Sequence, residues 1–235
     1  MKLIDLSQEI KHRDKNGQHP SHPVPLVFSF ITHGEGYEEL KGRGSYTTEW
    51  LNVNTHASTH LDAQKHTNPD PKAMTIDQLP LEWCYGDAVC IDLSNKPPKS
   101  WITPEDLENA CKKGNVNIQK GDILLLYTGH WNRTKGTPAY PTDNPGLTRE
   151  GADWIKKKDV KLYGIDAVTT DNPIDQAQNL LFPTHDLLRD EGLPHVENLA
   201  NLDKVVNRRF TFIGFPIKIK GASASWIRAV ALLKD

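Results

Sequence analysis

The chain has 235 residues, with 28 basic side chains against 30 acidic ones and a formal net charge of −2. That balance favours neither nucleic acid nor a membrane surface as partner, and a composition of 37% hydrophobic and 25% charged residues excludes disorder, collagen-like repeats and coiled coil. The longest apolar runs, 123–127 and 229–233, fall far short of the ~20 residues that a membrane-spanning helix needs.

In chain order, residues 3–6 predict a short strand. Residues 11–25 are polar, carry His12, His19 and His22, are rich in proline, and predict a loop. Residues 26–32 and 46–53 are β-branched and aromatic and predict strands, with Gly34, Gly36, Gly42 and Gly44 breaking the chain between them. A strand follows at 88–93. Thr103, Pro104, Glu105 and Asp106 form a helix start, and Gly114 is expected to stop that helix. Residues 123–128 have the length and apolarity of a buried strand. Thr148 caps a helix running to about Lys158, and residues 161–165 follow as a strand. A short helix at 184–191 ends at Gly192, and 210–217 and 226–233 close the chain as strands. Helices and strands alternate, and no linker divides the sequence, so a single mixed α/β domain over 1–235 is expected. The opening Met1-Lys2-Leu3-Ile4-Asp5 meets an acid too early for a signal peptide. Cys84, Cys90 and Cys111 have no CxxC spacing, and an odd count suits a reducing cytoplasm.

The chemistry concentrates in one stretch. His56, His60, Asp62 and His66 fall within eleven residues, all at even offsets. A straight strand would hold His56 and His60 roughly 13 Å apart at ~3.3 Å per residue. Ligands to one ion sit only ~2.0–2.2 Å from it, so the chain must bend here, and the small Ala57 and Ser58 permit the bend. Other templates fail: there is no HExxH, no GxSxG and no Walker A motif. His130 reads as a strand-end polar residue, and His33 and His195 have no partner that the sequence names.

The pattern His56-x-x-Thr59-His60-x-Asp62-x-x-x-His66 resembles the signature of the putative cyclase family of metal-dependent hydrolases, which includes kynurenine formamidase and isatin hydrolase. The resemblance continues through Ile4-Asp5-Leu6-Ser7, Gly121–Leu125, Tyr127-Thr128-Gly129, Leu162–Ala167 and Arg228–Ala231. It implies an α/β fold of the swivelling β/β/α type and a homodimer. It also implies two distal metal ligands, His185 and Glu197, in addition to His56, His60 and Asp62. Ser58 stands where the family prefers Gly, and Gln64 where it prefers Pro.

A set of imidazoles and carboxylates without thiolate suits zinc and also manganese, in one or two ions, with Asp62 able to bridge. Such a site makes a nucleophile of water at neutral pH, and His66 is the expected proton donor to a leaving nitrogen. The expected activity is hydrolysis of a small amide, formamide or lactam. The alternatives are a cyclase or dehydratase using the metal as Lewis acid, and a metal- or ligand-binding protein without turnover. Phe28, Phe30, Tyr46, Trp50 and Trp131 are expected to wall a pocket for a flat aromatic substrate, and the 11–25 loop to reach across a dimer.

Overall fold

The computed structural model describes residues 1–233. The strands are β1 (Lys2–Asp5), β2 (Leu26–Ile31), β3 (Thr48–Asn52), β4 (His60–Asp62), β5 (Tyr85–Asp92), β6 (Trp101–Ile102) and β7 (Ile123–Tyr127). They continue as β8 (Gly146–Leu147), β9 (Leu162–Ile165), β10 (His195–Glu197), β11 (Arg209–Ile213), β12 (Ala224–Trp226) and β13 (Val230–Leu233). The helices are α1 (His33–Glu39), α2 (Pro104–Gly114), α3 (His130–Thr134), α4 (Arg149–Lys157) and α5 (Pro183–Glu191).

Nine strands form one mixed sheet in the order β1-β13-β11-β5-β7-β9-β10-β4-β12. The four central neighbours β5, β7, β9 and β10 run parallel, and every other pairing is antiparallel. The sequence of β7 follows from its place. A central parallel strand is covered on both faces and so reads as an unbroken apolar run. Ile123 and Leu125 enter one hydrophobic core, while Leu124 and Leu126 enter the other with Leu107, Trp154 and Ile155 from α2 and α4. The mixed α/β architecture is the one expected.

Local chemistry sets the helix starts. Thr103 accepts the Asp106 backbone N–H, and the Asp106 carboxylate accepts from the Thr103 backbone N–H, so both ends of a capping box are made. Thr148 accepts from the Gly151 N–H at the start of α4.

Four expectations need correction. The glycine-rich 33–44 segment begins with a helix, α1, because Thr32 and Glu35 cap each other there and offset the poor propensity of Gly34 and Gly36. Helix α2 is stopped by Asn115, which takes the left-handed conformation at φ 50°, and Gly114 is still helical. The 210–217 strand ends at Ile213. The 226–233 strand is two elements: Trp226 pairs with His60 on one side of the sheet and Val230 with Asp5 on the other. Three-residue strands such as β4, β10 and β12 are too short to show a period of two.

Strands β2 and β3 form a separate two-stranded hairpin, and β3 is exposed along its whole length. The site is instead positioned by the pairing of β10 with β4, which sets Glu197 opposite His60 and His195 opposite Asp62.

Candidate metal centre

Alternate residues of a strand share a face, and directly opposed residues on antiparallel strands have adjacent side chains. The register of β4 and β10 therefore brings His60, Asp62, His195 and Glu197 together as a buried quartet. His60 Nε2 lies 3.3 Å from Asp62 Oδ1 and 3.5 Å from Glu197 Oε2. His195 Nε2 lies 3.4 Å from Asp62 Oδ2 and 3.5 Å from Glu197 Oε1.

The bend required between His56 and His60 occurs at Ser58, which adopts φ 57° and whose hydroxyl donates to the Gln8 carbonyl. Left-handed backbone is the reason a glycine suits this position. His56 Nδ1 reaches Asp62 Oδ1 at 2.9 Å, and its Nε2 lies 3.0 Å from Ser223 Oγ. Gln64 opens a single 3₁₀ turn, Gln64–His66, at the position where proline is also tolerated, and donates to the Arg189 carbonyl. That turn places the half-buried His66 with Nε2 3.9 Å from Asp62 Oδ2 and its ring 4.1 Å from that of His56.

His185 is delivered by the first turn of α5. Asp171 accepts from the Thr184 N–H and hydroxyl through Oδ1, and its Oδ2 lies 2.6 Å from His185 Nδ1. The carboxylate thus anchors the helix start and fixes the imidazole. Two groups have donor atoms close enough to share an ion, all within 4.8 Å: Asp62, His185, His195 and Glu197, and His56, Asp62 and His66. His60 adjoins both carboxylates.

The electrostatics are those of opposed charges held out of water. Burial resists the charged form of His195, yet Asp62 and Glu197 lift it to about 10. Burial raises Glu197, but the nearby His195 and neighbouring imidazoles outweigh this and bring it to about 2. Asp62 is held well below the usual carboxylate range despite burial, by His56, His60 and His66. Burial, reinforced by His56 and His185, pushes His66 down to about 4 against the pull of Asp62. That value lies below the ordinary imidazole pKa of about 6.5.

A divalent cation fits this donor set. His60 Nε2, His195 Nε2 and both oxygens of Asp62 are buried with no hydrogen-bond partner among the described residues. Buried polar groups left unpaired cost about 1–3 kcal/mol each, a penalty that coordination removes. Cys84 and Cys90 lie in the cores and supply no thiolate.

Above the centre is a cleft of about 390 Å³ whose wall includes His56, His66, His185, Val168 and Phe182. The 11–25 loop folds over the chain's own cleft, where His19 and His22 line it and the His22 ring lies 5.6 Å from that of His56. The aromatic wall expected of Phe28, Phe30, Tyr46, Trp50 and Trp131 is absent from this lining; the first four belong to the separate hairpin and its approach. His130 is buried apart from the cleft and bonds the Tyr140 carbonyl, and His33 is an exposed partner of Ser45.

All six expected residues, His56, His60, Asp62, His66, His185 and Glu197, are drawn together around one point. Sequence reasoning missed His195, the outer histidines His19 and His22, and Asp171. His195 had a signal: it lies two residues before Glu197, on the same face of any strand.

Fold and centre together define a mixed α/β protein with a buried histidine–carboxylate site suited to a divalent metal. The chain belongs to the Putative cyclase family, whose profile it matches over residues 4–172. It is 31% identical over 227 residues to the kynurenine formamidase of Geobacillus thermodenitrificans, covering 96% of this chain and 95% of that one. The isatin hydrolase of Roseibium aggregatum is 26% identical over 199 residues, 80% of this chain and 75% of the relative. An isatin hydrolase structure with the product analogue thioisatinate superposes with a TM-score of 0.86 at 22% identity, covering 100% of this chain and 93% of that one. Family and fold class are as the sequence predicted.

Proposed function

We propose that the protein is a metal-dependent amidohydrolase that cleaves a small aryl amide, formamide or lactam. The observation that carries this reading is the pair of buried carboxylates, Asp62 and Glu197, ringed by imidazoles at the floor of a cleft. The kynurenine formamidase and isatin hydrolase relatives support it. His56, His60, Asp62, His185 and Glu197 would hold the metal, and Asp62 would serve both ions if two bind. Imidazoles outnumber carboxylates in this set, which favours zinc over manganese. A divalent ion bound there supplies Lewis acidity and a nucleophilic water at neutral pH.

The remaining steps belong to the chain. Asp171 holds His185 in one orientation through Nδ1. The Ser58 carbonyl lies 2.8 Å from His60 Nδ1 and accepts its hydrogen, turning Nε2 toward the carboxylates. His66, at the cleft wall beside Asp62, carries a proton between the attacking water and the leaving nitrogen on Nε2. Val168 and Phe182 offer the apolar wall against which an aryl group packs.

The protein works in a reducing cytoplasm, which its three free cysteines support, and no described helix is long and apolar enough to cross a membrane. It acts as a homodimer, a reading supported by the exposed aromatic hairpin. The test is hydrolysis of formanilides and isatin by protein loaded with zinc or manganese. Chelation should abolish activity, and metal should restore it. A metal-loaded protein inert toward every formamide and lactam overturns the reading.

A further inference from the structure

We propose that His195 is a metal ligand that completes one of two neighbouring cation positions in the centre. This rests on the metal-dependent reading above. Donors about 2.1 Å from a tetrahedral ion stand about 3.4 Å from one another. His195 Nε2 has that spacing to one oxygen of each carboxylate, Asp62 Oδ2 at 3.4 Å and Glu197 Oε1 at 3.5 Å. His60 Nε2 has the same spacing to the other two oxygens, Asp62 Oδ1 at 3.3 Å and Glu197 Oε2 at 3.5 Å. Each carboxylate thus presents one oxygen to His195 and the other to His60, so both carboxylates can bridge two ions.

The two positions draw on different imidazoles. Asp62, His185, His195 and Glu197 give the first four protein donors, the number typical of structural zinc. The second has His60 with the other oxygen of each carboxylate, and His56 2.9 Å from the shared Asp62 Oδ1. Both border the cleft, the first through His185 and the second through His56. The Tyr163 hydroxyl lies 3.3 Å from His195 Nδ1, where it can accept that nitrogen's hydrogen and leave the Nε2 lone pair directed at the carboxylates. His195 Nε2 is buried without a hydrogen-bond partner, as a vacant ligand would be.

The experiment is metal analysis of the full chain loaded with zinc and dialysed, followed by challenge with a chromophoric chelator. The wild type should release about two ions per chain. His195→Ala should release about one. His195→Cys guards against a variant that misfolds: loaded with cobalt(II), it should gain a thiolate-to-cobalt charge-transfer band. Retention of both ions by His195→Ala, or no such band in a folded His195→Cys, overturns the assignment. So does a wild type with one ion that the substitution leaves in place, since a protonated His195 then takes the place of the second cation. In that case formamide or lactam hydrolysis still supports the proposed function, whereas a wild type that binds no ion removes both.

Discussion

His66 touches the acidic floor of the cleft without belonging to the buried quartet, and its consequence can be separated from that of the ligands. His66→Ala should leave metal content unchanged and lower kcat by ~10²- to 10⁴-fold, the range for loss of a general acid–base group. Elemental analysis beside steady-state kinetics decides it: loss of the ion makes His66 a ligand. Asp171 acts one step further out. It reaches the centre only through His185 Nδ1, and orienting carboxylates of this kind contribute about 10- to 100-fold in metal affinity. Asp171→Asn should therefore weaken zinc binding by about that factor in a competition titration. Unchanged affinity would show that the α5 helix start alone orients the imidazole. Residues of the first kind were legible in the sequence because His56, His60, Asp62 and His66 crowd one segment. Asp171 was not legible, because a lone aspartate before a proline-started helix looks like any turn residue until the fold sets it against His185.

The same limit appears among the elements. Long or capped segments announced themselves: β7 by its apolar run, α2 and α4 by Thr103 and Thr148. The strands that build the site did not, since three residues carry no measurable period and their register comes from tertiary pairing. A testable element-level feature is the tie between the ends of β7 and β9. Asp166 Oδ1 accepts from both the backbone N–H and the hydroxyl of Thr128, while its Oδ2 is buried and unpaired. Burial outweighs these bonds and raises its carboxyl from 3.8 to about 6. A carboxyl raised in the folded state binds its proton more tightly there than in the unfolded chain. Its contribution to stability therefore falls as pH climbs from about 4 to 6 and stays low above. Asp166→Asn keeps an acceptor for Thr128 and removes that penalty. It should stabilise the protein by about 2–3 kcal/mol at pH 7.5 and by little at pH 4, compared by urea unfolding at each pH. An equal difference at both values would show that Asp166 does not titrate in this window.

At the scale of the whole molecule, the least self-sufficient part is the hairpin β2–β3. A two-stranded sheet is marginal in water by itself, and here Phe28, Phe30 and Trp50 are 48%, 65% and 56% exposed. Phe30 and Trp50 pack their rings 6.2 Å apart, so the apolar surface is continuous. Exposed aromatic patches of this kind mark association sites. In the homodimer proposed above, closed two-fold symmetry would have each hairpin covered by the other subunit. The sequence placed these aromatics in the pocket because a strand pattern does not say which sheet the strand joins. The expected result is a dimer mass by light scattering at micromolar concentration. Paired Phe30→Ser and Trp50→Ser substitutions should shift it to the monomer. Zinc content per chain should stay constant, since every donor of the centre comes from one chain. A wild type that is already monomeric, or a doubly substituted protein that remains a dimer, would remove the hairpin from the interface.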